Sequence, residues 1–526
     1  MSVVELSIPS KKNYVFKNWA GIYSAKPKLF FQPRSIQEVV DIVKAANKCG
    51  KTIVTIGAGY SPSSMCVTNE WLVNLDLMNK IHTLSEAPNG SYADITVDAG
   101  IRICHLNEYL NEKGFTMQSL GSVAQQSIAG IISTGTHGSS PYHGLVSSTC
   151  VSLTIVNGKG EIVYLDSENN PEIFRAALLS LGKIGIIVAA TVRAVPAFNI
   201  RATEEIITFE GLVEKWDSLW LSSEFIRVWW YPYSRKCVLW RGSKTQDPET
   251  AKPKSFLQNR FIRFLYEASL WISCKIYKPL TPYLEKFIFN KQFGQLESNP
   301  KSSVSRSPEG FALDCLFSQF TDEWACPLEN GPEVLRSLDD SIARAAKNKE
   351  FFVHVPMEIR CANTTVPKEP LDTSQRTSTS EGPVYGNTLR PYLDNTARHD
   401  DYASPKDVTN NLLTVYIGTV AYRPFHCNTS IYKWFSVFED TMTGAGGKPH
   451  WAKNFLGSTS LVSQDVKKSN YKDFEMRGMS TRIKEMYGDD LIEFQKIRKE
   501  QDPNNIFVMN KEWAVINGIV DINEVS

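Results

Sequence analysis

GSVAQQSIAGIISTGTHGSSPYHG, residues 121–144, sets Gly121, Gly130, Gly135, Gly138 and Gly144 among the hydroxyl residues Ser122, Ser127, Ser133, Thr134 and Thr136. Nothing beyond Cβ obstructs such a backbone. Its N–H groups and small hydroxyls can lie flat against a pyrophosphate and an isoalloxazine ring, which a plain loop would not need so many of. His137, between Thr136 and Gly138, has an imidazole that could act as a base near neutrality. In a loop this small it serves more simply for local hydrogen bonds or cofactor contact.

Upstream, FFQPRSIQEVVDIVKAANKCGKTIVTIGAGYSPSS (30–64) gives a Pro-Ser turn, then a helix with apolar face Val39, Val40, Ile42, Val43 and Ala46. A β run follows, then a tight turn at Gly57, Ala58, Gly59, Tyr60 and Ser61. The spacing is neither GxGxxG nor a Walker loop, so neither a nicotinamide nor an ATP site is supported. WLVNLDLMNKIHTL and ADITVDAGIRICHLNEYLNEKG continue the alternation. VSLTIVNGKGEIVYLD is a hairpin whose turn is carried by Asn157 and Gly158. In SLGKIGIIVAATVRAVP (180–196), Gly182 and Gly185 precede a β-branched strand beginning Ile186, Ile187, whose backbone could approach a ring edge.

From residue 197 the pattern changes. Strand formers from Phe225 to Trp240 suggest an antiparallel sheet able to wall a pocket. VHVPMEIRCA puts Glu358 and Arg360 two residues apart, on one face of a strand: a carboxylate for sugar hydroxyls and a guanidinium for developing negative charge. As a bare pair, ExR is more often a surface ion pair. GGKPHWAKNFLG offers His450, Trp451 and Lys453, a sequence that in isolation reads as a surface turn. The stretches 296–310 and 363–386 read as long loops. RFIRFLYEASLWISCKIYKPLTPYLEKFIF (260–289) reads either as an amphipathic helix packed on its own domain or as one lying on a membrane.

The 526 residues exceed what one core usually serves, and 57 basic against 56 acidic side chains give a net charge of +1 with no field to recruit nucleic acid. The ten cysteines form no metal-ligand spacing and read as reduced thiols; no metal is expected. The amino terminus lacks the features of a secretory signal, and no apolar run is long enough to span a bilayer.

QPRS, GAGYSPS, SIAGIISTGTHG, MEIR, HWAKNF and the closing RKEQDPNNIF occur in the order found in the vanillyl-alcohol-oxidase family of flavoproteins, and the whole chain resembles its aldonolactone oxidoreductase branch. The resemblance implies an α+β fold: a PCMH-type FAD-binding domain over 1–196, and over 197–526 a cap domain with a large antiparallel sheet flanked by helices. The carboxy-terminal tail would return to the first domain. It also implies FAD at the junction, a small sugar lactone as substrate and O2 as acceptor. Glu358 would orient the lactone, Arg360 and Lys453 would hold negative charge near the flavin, and His450 would position Lys453.

Where oxidase relatives carry a flavin-linking histidine, this chain has Tyr60, which implies non-covalent FAD. Gly121 stands where plant dehydrogenases of the branch have alanine, and leaves room for oxygen. Two alternatives are a dehydrogenase using cytochrome c or another carrier, and a membrane-associated binding protein whose flavin site has decayed. The resemblance further implies a mitochondrial membrane, the outer one, with 260–289 as the peripheral contact.

Overall fold

Ser35 caps helix Ile36–Cys49 by accepting the Glu38 N–H, and Gly50 ends it in the left-handed conformation at φ 58°. Val39, Val40, Ile42, Val43 and Ala46 on this helix enter the same core as Phe31, Ile53 and Val73. These last three sit on the parallel strands Leu29–Phe31, Trp71–Asn74 and Ile53–Ile56, with Ser10–Lys11 added antiparallel at one edge. This computed structural model describes residues 8–251, 255–363, 384–397, 408–456 and 479–508, with 513–514, 517–521 and 524 beyond them.

A second, antiparallel sheet runs in the order Ile162–Asp166, Cys150–Val156, Ile186–Pro196, Ala93–Asp98, Ile81–Glu86, and Phe115–Thr116 pairs with the end of the Ile186–Pro196 strand. The chain then changes sheet across residues 197–198. Asn199–Thr208 joins an eight-stranded antiparallel sheet ordered Lys301–Arg306, Asn199–Thr208, Lys236–Thr245, Phe225–Tyr231, His354–Asn363, Leu413–Tyr422, Gln319–Pro327, Lys448–Pro449. One continuous apolar core runs from Ile42 and Leu153 on one side to Trp230 and Ile417 on the other, so the two domains are packed as one body.

The tail returns to the first domain through backbone and side-chain bonds: Ile53 N–H to Ile506 O (2.7 Å), Gly158 N–H to Gln501 O (2.8 Å) and Lys183 Nζ to Phe507 O (2.8 Å). This also revises the 157–161 turn. Asn157 carries it by accepting the Lys159 and Glu161 N–H groups, but the left-handed residue is Gly160, at φ 78°. Gly158 is needed for closeness instead, since a Cβ there would lie 2.7 Å from Asp502 Cα in the tail.

The Ser- and Pro-rich stretch at 296–310 is not a long loop. It forms edge strand Lys301–Arg306 and helix Ser307–Phe311, because pairing with Asn199–Thr208 satisfies its backbone. Most of the other expected loop, 364–383, lies outside the described residues. All ten cysteines are free thiols.

Candidate active site at the domain junction

A cavity of about 500 Å³ opens between the two domains, with Tyr60, Ser61, Gly121, Ser122, Thr136 and His137 on one side and Glu323, Glu358, Arg360, His450 and Lys453 on the other. The first side is shaped by close backbone approach. A Cβ on Gly57 would meet Ser127 Oγ at 2.0 Å, one on Gly138 would meet Ser119 Oγ at 2.2 Å, and one on Gly185 would meet Val156 O at 2.9 Å. These glycines therefore fit the loops to each other behind the cavity. Ser127 Oγ caps helix Ile128–Ser133 at the Gly130 N–H, and Thr134 Oγ1 donates to Gly130 O. Ile186 and Ile187 are buried in the sheet behind. Thus Gly57, Ala58, Gly59, Ser127, Gly130, Thr134, Gly138, Gly185, Ile186 and Ile187 lie behind the floor, and none of them lines the cavity.

Thr55 Oγ1 and Ser63 Oγ around the 57–61 turn, and Ser119 Oγ and Ser122 Oγ around Gly121, are buried without a protein partner. Of these, Ser122 lines the cavity, where an unsatisfied hydroxyl suits a ligand that carries acceptors. Tyr60 lines the cavity with its ring 5.9 Å from that of Trp19, and burial raises its phenol above the usual range, so it stays protonated. Asn18 Nδ2 donates to the Ser61 and Pro62 carbonyls and fixes the turn from outside.

The second side is an ionic wall on three adjacent strands. Register places Glu323, Gly418 and Glu358 in one row across them, so Gly418 leaves a gap between two carboxylates. Arg360 fills part of it, reaching Glu323 Oε1 at 2.5 Å and Glu358 Oε2 at 3.4 Å, while Lys453 Nζ lies 3.2 Å from Glu323 Oε2. Glu323 is fully buried, yet Arg360 and Lys453 hold its carboxyl well below the usual range, and it is a carboxylate at neutral pH. Glu358 Oε1 has no protein partner. The Glu358–Arg360 pair is therefore no surface ion pair: Arg360 is buried, and the half-buried Glu358 faces the cavity.

HWAK is no surface turn either. Trp451 is buried and donates to Leu393 O (2.9 Å), the His450 N–H donates to Glu323 O (2.9 Å), and the Lys453 N–H donates to His450 O (3.0 Å). His450 positions Lys453 through its backbone. Its ring accepts the Ala452 N–H at Nδ1, and burial pushes it well below the usual histidine range, leaving it neutral.

His137 stacks on Tyr416 with centroids 3.5 Å apart and lies between two acceptors, Gly138 O at 2.9 Å from Nδ1 and Glu323 Oε1 at 3.6 Å from Nε2. Burial and Arg360 depress its pKa, so the ring is neutral, with Nδ1 donating to the nearer carbonyl and Nε2 facing Glu323. His137, Glu323 and His450 form the only grouping of metal-ligand type found among the described residues, within 4.8 Å of one another. Arg360 and Lys453 occupy both Glu323 oxygens, which makes the grouping an ion-pair hub.

Sequence reading missed Glu323, Gly418 and the buried Arg227, which pairs across the sheet with Arg360. An isolated glycine in VYIGTVAY and a charge inside FIRVWWY were the available signals.

A family model described as D-arabinono-1,4-lactone oxidase matches residues 190–517, and one described as FAD binding domain matches 27–166. The chain belongs to the D-arabinono-1,4-lactone oxidase family. Proteins of that name from Saccharomyces cerevisiae (64% identical, 99% of each chain covered) and Yarrowia lipolytica (47%, covering 98% of this chain and 99% of that one) are among its relatives. Solved structures of a solvent-stable cholesterol oxidase (TM-score 0.70, 18% identity, 96% and 98% covered) and of the xylooligosaccharide oxidase from Myceliophthora thermophila (0.61, 16%, 95% and 95%) share the fold. FAD is the cofactor of this α+β, PCMH-type oxidoreductase of the D-arabinono-1,4-lactone oxidase family, and the orphaned Ser122 hydroxyl on the cavity floor fits it.

Proposed function

We propose that the chain oxidises D-arabinono-1,4-lactone, and similar aldono-1,4-lactones, at C2, with O2 as final acceptor, giving D-erythroascorbate and hydrogen peroxide. Bound FAD supplies the two-electron acceptor. The carrying observation is the ionic wall: a buried carboxylate, Glu323, fixes two cations at the cavity surface, and Glu358 Oε1 is left without a hydrogen-bond partner beside them. Glu358 Oε1 accepts a lactone hydroxyl and fixes the ring. Arg360 and Lys453 face the developing negative charge from positions set before substrate arrives. The test is oxygen uptake and peroxide release by the purified protein with D-arabinono-1,4-lactone. Equal uptake and release support the reading; lactone-dependent reduction of cytochrome c without peroxide means a dehydrogenase, and no turnover by a yellow protein removes the lactone.

Tyr60 supports non-covalent FAD, since a phenol held protonated cannot make the histidyl link. Acid precipitation tests this: colour in the supernatant agrees, and colour in the pellet means another anchor.

The 260–289 segment supports peripheral membrane contact, and with the family resemblance a mitochondrial outer-membrane location. It forms helices Arg260–Lys275 and Thr281–Phe293; Phe261, Phe264, Tyr283 and Phe287 on them, and Ile276 and Tyr277 in the turn between, are each 54–71% exposed, while Tyr266, Leu270 and Ile288 face inward. No helix among the described residues is long and apolar enough to cross a membrane. One face of the segment is thus packed on its own domain, and the exposed apolar face supports the membrane reading. Recovery in the membrane fraction, released by Phe261→Ser with Phe264→Ser, is expected; a soluble wild type removes the proposal.

A further inference from the structure

A second cavity, about 360 Å³, lies behind the sheet and shares only Val420 with the active cavity. Its lining includes Lys275, Lys278 and Lys433 against one carboxylate, Glu350, together with the hydroxyl residues Thr281, Thr429 and Ser430. Lys275 is drawn toward this region by Asn428 O, at 2.6 Å. Helix Thr281–Phe293 starts at the rim, but the Thr281 N–H is bonded to Lys278 O and Pro282 has none, so the positive charge here comes from side chains and not from the helix end.

The imidazole at the floor contributes no charge. His354 accepts the Tyr422 N–H at Nδ1 (2.8 Å), lies 3.5 Å from the Cys274 thiol, and is depressed to about 4 by burial. Burial also raises Cys274 to about 11, so these two are a neutral pair and no thiolate nucleophile. Glu350 is partly engaged by Asn348 Nδ2 at 3.1 Å. The surplus of positive charge therefore belongs to the three lysines.

What fixes the ligand's source is the place of the cavity. Between Lys275 and Lys278 the chain carries Ile276 and Tyr277, 69% and 59% exposed, an apolar and an amphipathic side chain of the kind that settles at a bilayer surface. The exposed faces of both helices continue from this turn. With those faces on a bilayer, the lysine-lined cavity sits at headgroup depth.

The geometry points to a binding site for the phosphate headgroup of an anionic phospholipid, formed by Lys275, Lys278 and Lys433 with the hydroxyls of Thr281, Thr429 and Ser430. This rests on the membrane contact proposed above and adds selectivity to it: the apolar face supplies attachment, and the cavity chooses the lipid.

The test uses the full-length flavoenzyme, co-sedimented with vesicles of phosphatidylcholine alone or with phosphatidic acid added. Wild type is expected to prefer the acidic vesicles by at least about tenfold, since each lysine at a bilayer surface is worth roughly fivefold in binding. Lys275→Gln, Lys278→Gln and Lys433→Gln together abolish the preference but leave binding to neutral vesicles and lactone turnover unchanged. A charge-matched control, Arg260→Gln, Lys286→Gln and Lys291→Gln, removes exposed cations outside the cavity and keeps most of the preference.

If the control loses as much as the cavity variant, general surface charge explains the binding and the site is refuted. Calorimetric binding of inorganic phosphate that needs the three lysines, with no vesicle preference, assigns the cavity to free phosphate and overturns the lipid. Equal binding to both vesicles removes this inference and leaves the membrane contact standing; binding to neither removes both.

Discussion

On the FAD side of the active cavity Tyr60, Ser61, Gly121, Ser122 and Thr136 carry no charge, and close approach of backbone shapes the surface. The cap side concentrates Glu323, Glu358, Arg360 and Lys453 on neighbouring strands and the turn beside them. The floor would fail by steric intrusion, and the wall by electrostatic imbalance. The difference predicts two kinds of variant: floor changes weaken stability and cofactor retention but keep turnover per bound flavin, whereas wall changes lose turnover, with stability falling too where a buried charge is stripped of its partner. Each can be tested against the other side.

The largest effect is expected from Glu323→Ala. It leaves Arg360 and Lys453 without their shared counter-ion in a buried site, a loss of about 3–5 kcal/mol by analogy with broken buried pairs. Turnover should fall by roughly a thousandfold with the cations misplaced. Glu323→Gln keeps the shape and isolates the charge. Because Glu323's folded pKa lies below its unfolded value, its stabilisation is present at neutral pH and lost as pH falls through the folded pKa. The Gln variant should therefore show a flatter acid limb in thermal denaturation. A Glu323→Gln enzyme with normal turnover would break the distinction between the two sides.

Gly418 sharpens the comparison, being a glycine on the charged side. A Cβ there meets nothing closer than 3.7 Å, from Glu358 O, so its smallness serves neither close packing nor unusual backbone. Gly418→Leu should fold, keep flavin, and lose on the order of a hundredfold in kcat/KM by filling the gap between Glu323 and Glu358. A folded, flavin-loaded variant with unchanged kcat/KM would show that substrate does not use that gap.

How far these features could be read beforehand follows the same division. Glycine-rich turns after β runs are local in sequence, so the turns at 57–61 and 121–138 were legible, while which of their residues line the cavity, Tyr60, Ser61, Gly121, Ser122, Thr136 and His137 among them, was not. The helix over Ile36–Cys49 was equally clear, because its periodicity and its Ser35 cap lie within one segment. Glu358 and Arg360 were legible as a pair on one strand, but Glu323 was not. It becomes their neighbour only through pairing of three strands distant in sequence, which periodicity cannot supply. The 296–310 stretch failed for a related reason: its composition favours a loop, and only an edge position beside Asn199–Thr208 makes it a strand.

Behind the floor, Gly57→Ala places a methyl 2.0 Å from Ser127 Oγ, the atom capping helix Ile128–Ser133. Either the turn or the cap must move. The expected loss is about 1–3 kcal/mol of stability with weakened FAD retention, measured as a lower Tm and colour lost on gel filtration. Turnover per bound flavin should stay near wild type, and a variant that kept its flavin but lost turnover would place the 57–61 turn in the chemistry.

The smallest effect is expected at Gly121, where an added Cβ would lie 2.9 Å from Thr136 Cγ2 and 3.6 Å from His137 O. The Thr136 methyl sits on a side chain that can rotate, so Gly121→Ala should cost less than about 1 kcal/mol in stability. It nevertheless narrows the cavity beside the flavin floor, on the side where room for oxygen is inferred. Peroxide formation should drop several-fold, while reduction of an artificial one-electron dye by the same lactone-fed enzyme persists. If both rates fall together, the methyl has displaced the cofactor and Gly121 belongs with Gly57 as a packing residue. If neither falls, oxygen reaches the site from the cap side, and the charged wall, not the neutral floor, sets the choice of acceptor.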